Sequence, residues 1–174
     1  MKRFRALGWA LASLVGVLLA VGTPTQAHAV DFDLIVSGDV NGVFKTSEGD
    51  DRDLGIGLAA RLGLGFDTGT VRVTPEGMFE WDRFGEDDTV IRVLGGLRIT
   101  GGEIFEPSVF AHVGWGRRNL HDTDDDAVAI DVGTALDFTA IPYLKIGAQA
   151  AYNWLELDPV FDFVTFGAHI TFLF

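Results

Sequence analysis

The stretch LGIGLAARLGLGFD, residues 54–67, alternates without a break between large apolar side chains and almost nothing. Leu54, Ile56, Leu58, Ala60, Leu62, Leu64 and Phe66 share one parity; Gly55, Gly57, Ala59, Arg61, Gly63, Gly65 and Asp67 share the other. A period of two is the signature of a β-strand with unlike faces. One face needs a core or a hydrocarbon solvent. The other needs a crowded space with room for one arginine.

The pattern recurs along the chain. Comparable alternation runs over 32–44, 54–67, 71–84, 89–100, 107–118, 127–139, 143–156 and 163–174, with no helical periodicity between the segments. An even number of short strands at regular spacing predicts an all-β fold, an eight-stranded antiparallel up-and-down barrel. The connections also alternate. Those at 45–53, 85–88, 119–126 and 157–162 are acidic, whereas those at 68–70, 101–106 and 140–142 are short or poor in charge. Successive connections of such a barrel emerge at opposite ends, so one end is expected to be acidic and the other not.

Which face turns outward decides between a soluble carrier and a membrane protein. The polar parity holds Asp39, Arg61, Arg72, Glu76, Glu80, Arg92, Arg98, His112, Asp131, Asp137, Lys145, Gln149 and His169 among glycines and alanines. The apolar parity is nearly free of charge, and its aromatics are sorted by height. Trp81, Trp115 and Trp154 fall beside acidic connections; Phe66, Phe138, Phe172 and Phe174 fall at the other end. Two aromatic girdles flanking an apolar band are what membrane interfaces select. A lipocalin-like barrel, with its apolar parity inward, gives no reason for that sorting. The expectation is therefore a transmembrane barrel, with leucines toward lipid and inward glycines leaving space around Arg61.

The ends fit that location. Lys2, Arg3 and Arg5 precede an apolar run over 6–22 and the small-x-small Ala27-His28-Ala29, so residues 1–29 are expected to be a cleaved signal peptide and 30–174 the outer-membrane β-barrel domain. No later run is apolar enough for a membrane helix. The chain contains no cysteine, hence neither a disulfide framework nor a lipid-attachment cysteine. Its net charge of −12 argues against nucleic acid as a partner.

With these features, and with HITFLF at 169–174 ending on Phe172 and Phe174 on one parity, the chain resembles the small eight-stranded outer-membrane β-barrels of the outer-membrane protein A and X type. The resemblance covers all of 30–174, without a following peptidoglycan-binding domain. It implies an integral, multi-pass location in the bacterial outer membrane, contact with outer-membrane lipids and lipopolysaccharide, and insertion by the barrel-assembly machinery through the terminal strand. A monomer without a cofactor is expected.

The enclosed charges Arg61, Arg72, Glu76, Glu80, Arg92, Arg98, Asp131 and Lys145 are expected to form a structural salt-bridge network, since an unpaired charge in so confined a space is costly. An ion path or proton relay is the sharper alternative, although eight strands leave interior room only for side chains. Catalysis needs a nucleophile and a base in contact. Ser108 and His112 stand about 13 Å apart along one strand, which leaves Ser37, His169 and Asp39 as the remaining candidate set. Asp122, Asp124 and Asp126 open like a calcium loop, but Ala127 and Gly133 occupy the positions where glycine and glutamate are needed, so no metal site is expected. Trp81-x-Arg83 and Trp115-x-Arg117 place an arginine one step beyond an interfacial tryptophan, where guanidinium groups can reach lipopolysaccharide phosphates, and Trp154 is expected to join them in contacting lipopolysaccharide. Divalent ions could also bridge those phosphates to the acidic connections. Pro75, which cannot donate to a ladder, is expected to create a bulge or local irregularity. The resulting expectation is a non-catalytic outer-membrane barrel with a charged, salt-bridged interior and short acidic outer loops, serving envelope integrity or surface interaction. A lipid A modifying enzyme and a soluble carrier are the alternatives.

Overall fold

A computed structural model describes residues 32–46, 54–85, 88–120 and 123–174; the signal peptide expected over 1–29 lies outside them. Eight strands follow one another: β1 (Phe32–Lys45), β2 (Leu54–Asp67), β3 (Val71–Phe84), β4 (Asp88–Gly101), β5 (Phe105–Leu120), β6 (Thr123–Ile141), β7 (Leu144–Leu155) and β8 (Phe161–Leu173). Each pairs antiparallel with its neighbours in sequence, and β1 pairs with β8 to close the barrel. At the closure the amides of Leu34 and Phe174 each donate to the other's carbonyl at 2.9 Å. No edge remains at this seam, as backbone polarity in hydrocarbon requires.

The strands form where the alternation predicted them and end where it lapses. Tight turns at 68–70, 102–104 and 142–143 mark one end; in the first, Thr68 donates its amide and hydroxyl to the Val71 carbonyl at 3.0 and 2.8 Å. At the other end the connections are 46–53, 85–87, 121–122 and 156–160, the first and last of them longer than any of these turns. Short turns face the periplasm and longer loops the exterior in barrels of this kind, which orients the molecule. β5 and β6 run beyond their expected ends, pairing as far as Leu120 with Thr123.

The barrel is apolar outside and polar inside. Leu62, Phe79, Val93 and Val109 are each more than half exposed, while Arg92 is completely buried and Arg61 nearly so. This arrangement contradicts a lipocalin-like carrier, whose apolar parity would fill the centre. The inward glycines serve the network: a Cβ at Gly57 would lie 2.2 Å from Asp82 Oδ1, and one at Gly167 1.7 Å from Asn41 Oδ1.

The local irregularity expected at Pro75 is present, without a bulge: pairing between β2 and β3 lapses between Gly63–Glu76 and Phe66–Val73, with the same register on either side. Pro75 faces outward and still stands opposite Leu97 of β4, so the missing amide costs a local gap rather than an inserted residue. The register shift lies instead between Thr139 and Ile141, beside the last tight turn. The interior, moreover, is not charged throughout. Val43, Phe84, Val90, Ala129, Leu155, Phe161 and Phe163 lie on the inward parity near the outer end, all almost wholly buried.

A lipid-facing charge near mid-barrel should be far more damaging than one at the rim. Leu62→Arg is expected to cost about 2–4 kcal/mol, and Phe32→Arg about 0–1 kcal/mol, as read by reversible denaturant unfolding in lipid vesicles. Equal costs would contradict the inside-out assignment.

Candidate functional site: the layered interior and the aromatic rim

Strand alternation delivers every second side chain of all eight strands to a narrow lumen, where they meet in layers. At the periplasmic mouth Arg72 bridges Asp67 at 2.8 Å and Asp33 at 2.9 Å. Lys145 donates to Glu106 at 2.5 Å, and the Thr139 hydroxyl donates to the same carboxylate at 2.6 Å. Arg72 and Lys145, expected within one network, thus belong to the mouth.

The middle layer is denser. Arg61 grips Asp39 with two nitrogens at 2.7 and 3.1 Å and lies 4.0 Å from Glu76. Arg98 donates from Nε to Glu76 at 3.1 Å and from Nη1 to Ser108 Oγ at 3.1 Å. His112 spans two carboxylates, with Nε2 2.9 Å from Glu76 and Nδ1 2.7 Å from Asp131. His169 Nε2 meets Asp137 at 2.5 Å.

Above it, Arg92 donates to Glu80 and, at 2.8 Å, to Asn153 Oδ1. Its guanidinium also stands 3.5 Å from Asp82, while Asn41 donates to Glu80 at 3.2 Å. Asp82, Asn41, Asn153 and Glu106 were not among the expected network residues. Continuing the parity of Glu80 by one step would have found Asp82, and the neutral amides show no charge signal to follow.

An apolar layer closes the series. Phe84 packs edge-on against Phe161 and Phe163, with centroids 5.6 and 5.2 Å apart. Arg92 lies 4.9 Å from the Phe163 ring on the inner side. Arg118 stands over Phe161 at 3.9 Å and Lys45 over Phe84 at 5.4 Å. Both cations hold Asp88, at 2.7 and 2.9 Å.

Catalytic geometry is not assembled from the candidate serines. Ser37 Oγ shares a hydrogen bond with Thr171 at 2.6 Å rather than with His169, and His169 is 3.8 Å from Asp39 through Nδ1. Ser108 is taken by Arg98. Ser37, Asp39, Ser108 and His169, with His112, are all buried in the lumen. Among the described residues no cluster of three metal-ligating side chains occurs. Asp124 and Asp126 turn to Arg117, and Asp122 lies outside the described residues.

On the outer surface Trp81, Trp115 and Trp154 face outward near the exterior end. Arg83 and Arg117 extend beyond the first two. Arg117 sits 5.4 Å from the Trp115 ring and is held by Asp126 at 2.8 Å and Asp124 at 3.7 Å. Phe44 and Tyr152 join this girdle, while Phe32, Phe105, Phe138, Tyr143, Phe172 and Phe174 populate the opposite one.

This inside-out, girdled, edge-free barrel defines a small transmembrane β-barrel of the bacterial outer-membrane type. Solved structures agree on the fold. Neisserial surface protein A superposes with a TM-score of 0.59 at 12% identity, over 82% of this chain and 97% of that one. Ail, the attachment invasion locus protein of Yersinia pestis, superposes with a TM-score of 0.54 at 16% identity, over 82% and 98%. No family model matches the chain, and no curated protein does.

Breaking one buried pair should be worse than removing it whole. Asp39→Leu is expected to cost about 3–5 kcal/mol because it strands the Arg61 charge. Adding Arg61→Met should recover most of that loss in equilibrium unfolding. A double variant as unstable as the single one would contradict the pairing.

Proposed function

We propose that the protein is a non-catalytic integral barrel of the outer membrane that supports the envelope by seating lipopolysaccharide against its outer rim. One observation carries this reading: the Trp115–Arg117–Asp126 arrangement at the exterior girdle, repeated in sequence as Trp81 and Arg83. The indole fixes the height of the barrel at the interface. The adjacent guanidinium stands where acyl chains give way to phosphates, with a fork suited to a phosphate's oxygens. Asp126 takes the Nε and Nη2 fork of Arg117 and Asp124 stands 3.7 Å from Nη1, so a lipid phosphate is left the remaining Nη hydrogens.

The acidic outer connections favour divalent cations as bridges between those phosphates and the barrel, and they disfavour polyanionic partners. The outward Phe172 of β8 and Phe174 just after it suit recognition by the barrel-assembly machinery, and the closed sheet needs no second copy to satisfy its edges. Lipid A modification is the competing role for a barrel of this size. The enclosure of Ser37, Ser108, His112 and His169, each already bonded within the lumen, speaks against it.

The test compares two membranes. Replacing Arg83 and Arg117 by Ala should lower the thermal midpoint of heat-modifiable gel mobility in lipopolysaccharide-containing vesicles and leave it unchanged in phosphatidylcholine alone. An equal shift in both, or none in either, would remove the rim from lipopolysaccharide binding. Loss of acyl chains from lipid A on expression, read by mass spectrometry, would establish the enzymatic role instead.

A further inference from the structure

The lumen is not evenly filled. A cavity of about 540 Å³ opens at the periplasmic end, walled in part by Arg72, Thr100, Glu106 and Lys145. Arg72, Thr100 and Lys145 also line a second space of about 30 Å³, which reaches Arg61, Arg98 and His169. Arg61 and Arg98 lead in turn to a third of about 10 Å³, bounded by Glu80, Gln149 and Asn153 among others. Three spaces thus lie in series, each sharing lining residues with the next.

These spaces call for water. Arg98 Nη2 and His169 Nδ1, on side chains more than nine-tenths buried, have no hydrogen-bond partner in the protein, Asp39 standing 3.8 Å from the latter, and neither has Gln149 Oε1. All three residues line the second or third space. Buried polar atoms in native proteins are satisfied by protein or by water, and about 10–15 Å³ admits one water. The path therefore narrows from a vestibule to single molecules.

Titratable groups line these spaces: Lys145 and Glu106 the mouth, Asp137, His169 and Glu76 the second, and His112, Asp131 and Glu80 the third, while Asp39 stands against Arg61 and His169 and Asp82 against Arg92. His112 is placed to pass a proton, since its two ring nitrogens each face a different carboxylate. When the Glu76 carboxyl carries a proton, the neutral ring takes it at Nε2 and gives the one on Nδ1 to the Asp131 carboxylate, which leaves Glu76 ionised, Asp131 protonated and the ring neutral in its other tautomer.

Beyond Arg92 this continuity stops. Phe84, Phe161 and Phe163, with Val43, Val90 and Leu155 around them, carry neither a titratable group nor a polar side-chain atom. The next ionisable groups, Asp88, Lys45 and Arg118, stand on the far side of the rings.

We propose that the barrel encloses a one-ended proton path, a hydrated and titratable half-channel entered from the periplasmic side and stopped by the Phe84–Phe161–Phe163 septum. Protons rather than hydrated ions are the species carried, because the innermost space admits no more than about one water. The seal is the dewetted aromatic layer and not the salt bridges, in the way that apolar constrictions close wider channels.

Proton flux into phosphatidylcholine vesicles tests this, with the barrel reconstituted, a pH dye entrapped, and a potassium diffusion potential set by valinomycin. Wild type should be as tight as empty vesicles. Phe161→Ala with Phe163→Ala should leak severalfold faster, and adding His112→Leu should reverse most of the leak. Phe166→Ala, on the lipid face, should stay tight. Leakage through wild type, a heat-modifiable septum variant that remains tight, or a leak indifferent to His112 would each overturn the proposal. A second readout needs no septum variant: nuclear magnetic cross-relaxation from water in micelles should reach the Gln149 amide and Arg98 guanidinium protons and not the Phe163 ring. Water at Phe163, or none at Gln149 and Arg98, would equally overturn it.

Discussion

Backbone amides and carbonyls in hydrocarbon have no water to turn to, and the rest of this structure follows from that. A sheet meets the demand only by closing on itself, and here β1 meets β8 in an unbroken antiparallel seam. Closure with eight strands fixes a lumen too narrow for a channel and too wide to leave empty. What fills that lumen then becomes the main question of the fold.

Two fillings are used, one above the other. Most of the depth is occupied by charges that neutralise one another: Arg61 with Asp39, Arg98 with Glu76, and Arg92 with Glu80. Such pairs repay their desolvation only with good geometry, which the bidentate Arg61 contact shows. Toward the exterior three phenylalanines replace them, clamped between Arg92 on one side and Arg118 and Lys45 on the other. The rings present their faces to these cations, so the apolar layer is tied to the polar ones rather than merely resting on them. The outer surface solves a simpler problem, with aliphatic residues in the band and aromatic residues at its two borders.

The fold was largely legible because a barrel in lipid repeats one instruction. Each strand alternates, each alternate connection changes character, and the aromatics sort by height; β2, β3 and β4 accordingly begin and end within a residue of where the pattern changes. The site was less so. Parity identifies Arg61, Glu76 and Arg92 as enclosed, but it carries no information on pairing across the lumen, where partners such as Arg92 and Asn153 are 61 residues apart. The septum escaped for a related reason. Phe161 falls in the connection expected over 157–162, and Phe163 is apolar in a strand whose lipid face is largely apolar, so its inward direction follows from the parity of the polar Thr165, His169 and Thr171 further along.

Alternation by itself determined the strands, their number, and which side chains share a face, because a period of two is a local property of an extended backbone. The girdles and the acidic exterior were determined in the same way, since height along a strand is simply position in sequence. Closure decided everything that depends on bringing distant strands together: Ser37 held by Thr171, His112 reaching Glu76, and Arg92 reaching Asn153. Register and curvature set those meetings, and neither can be read from the pattern of any single strand.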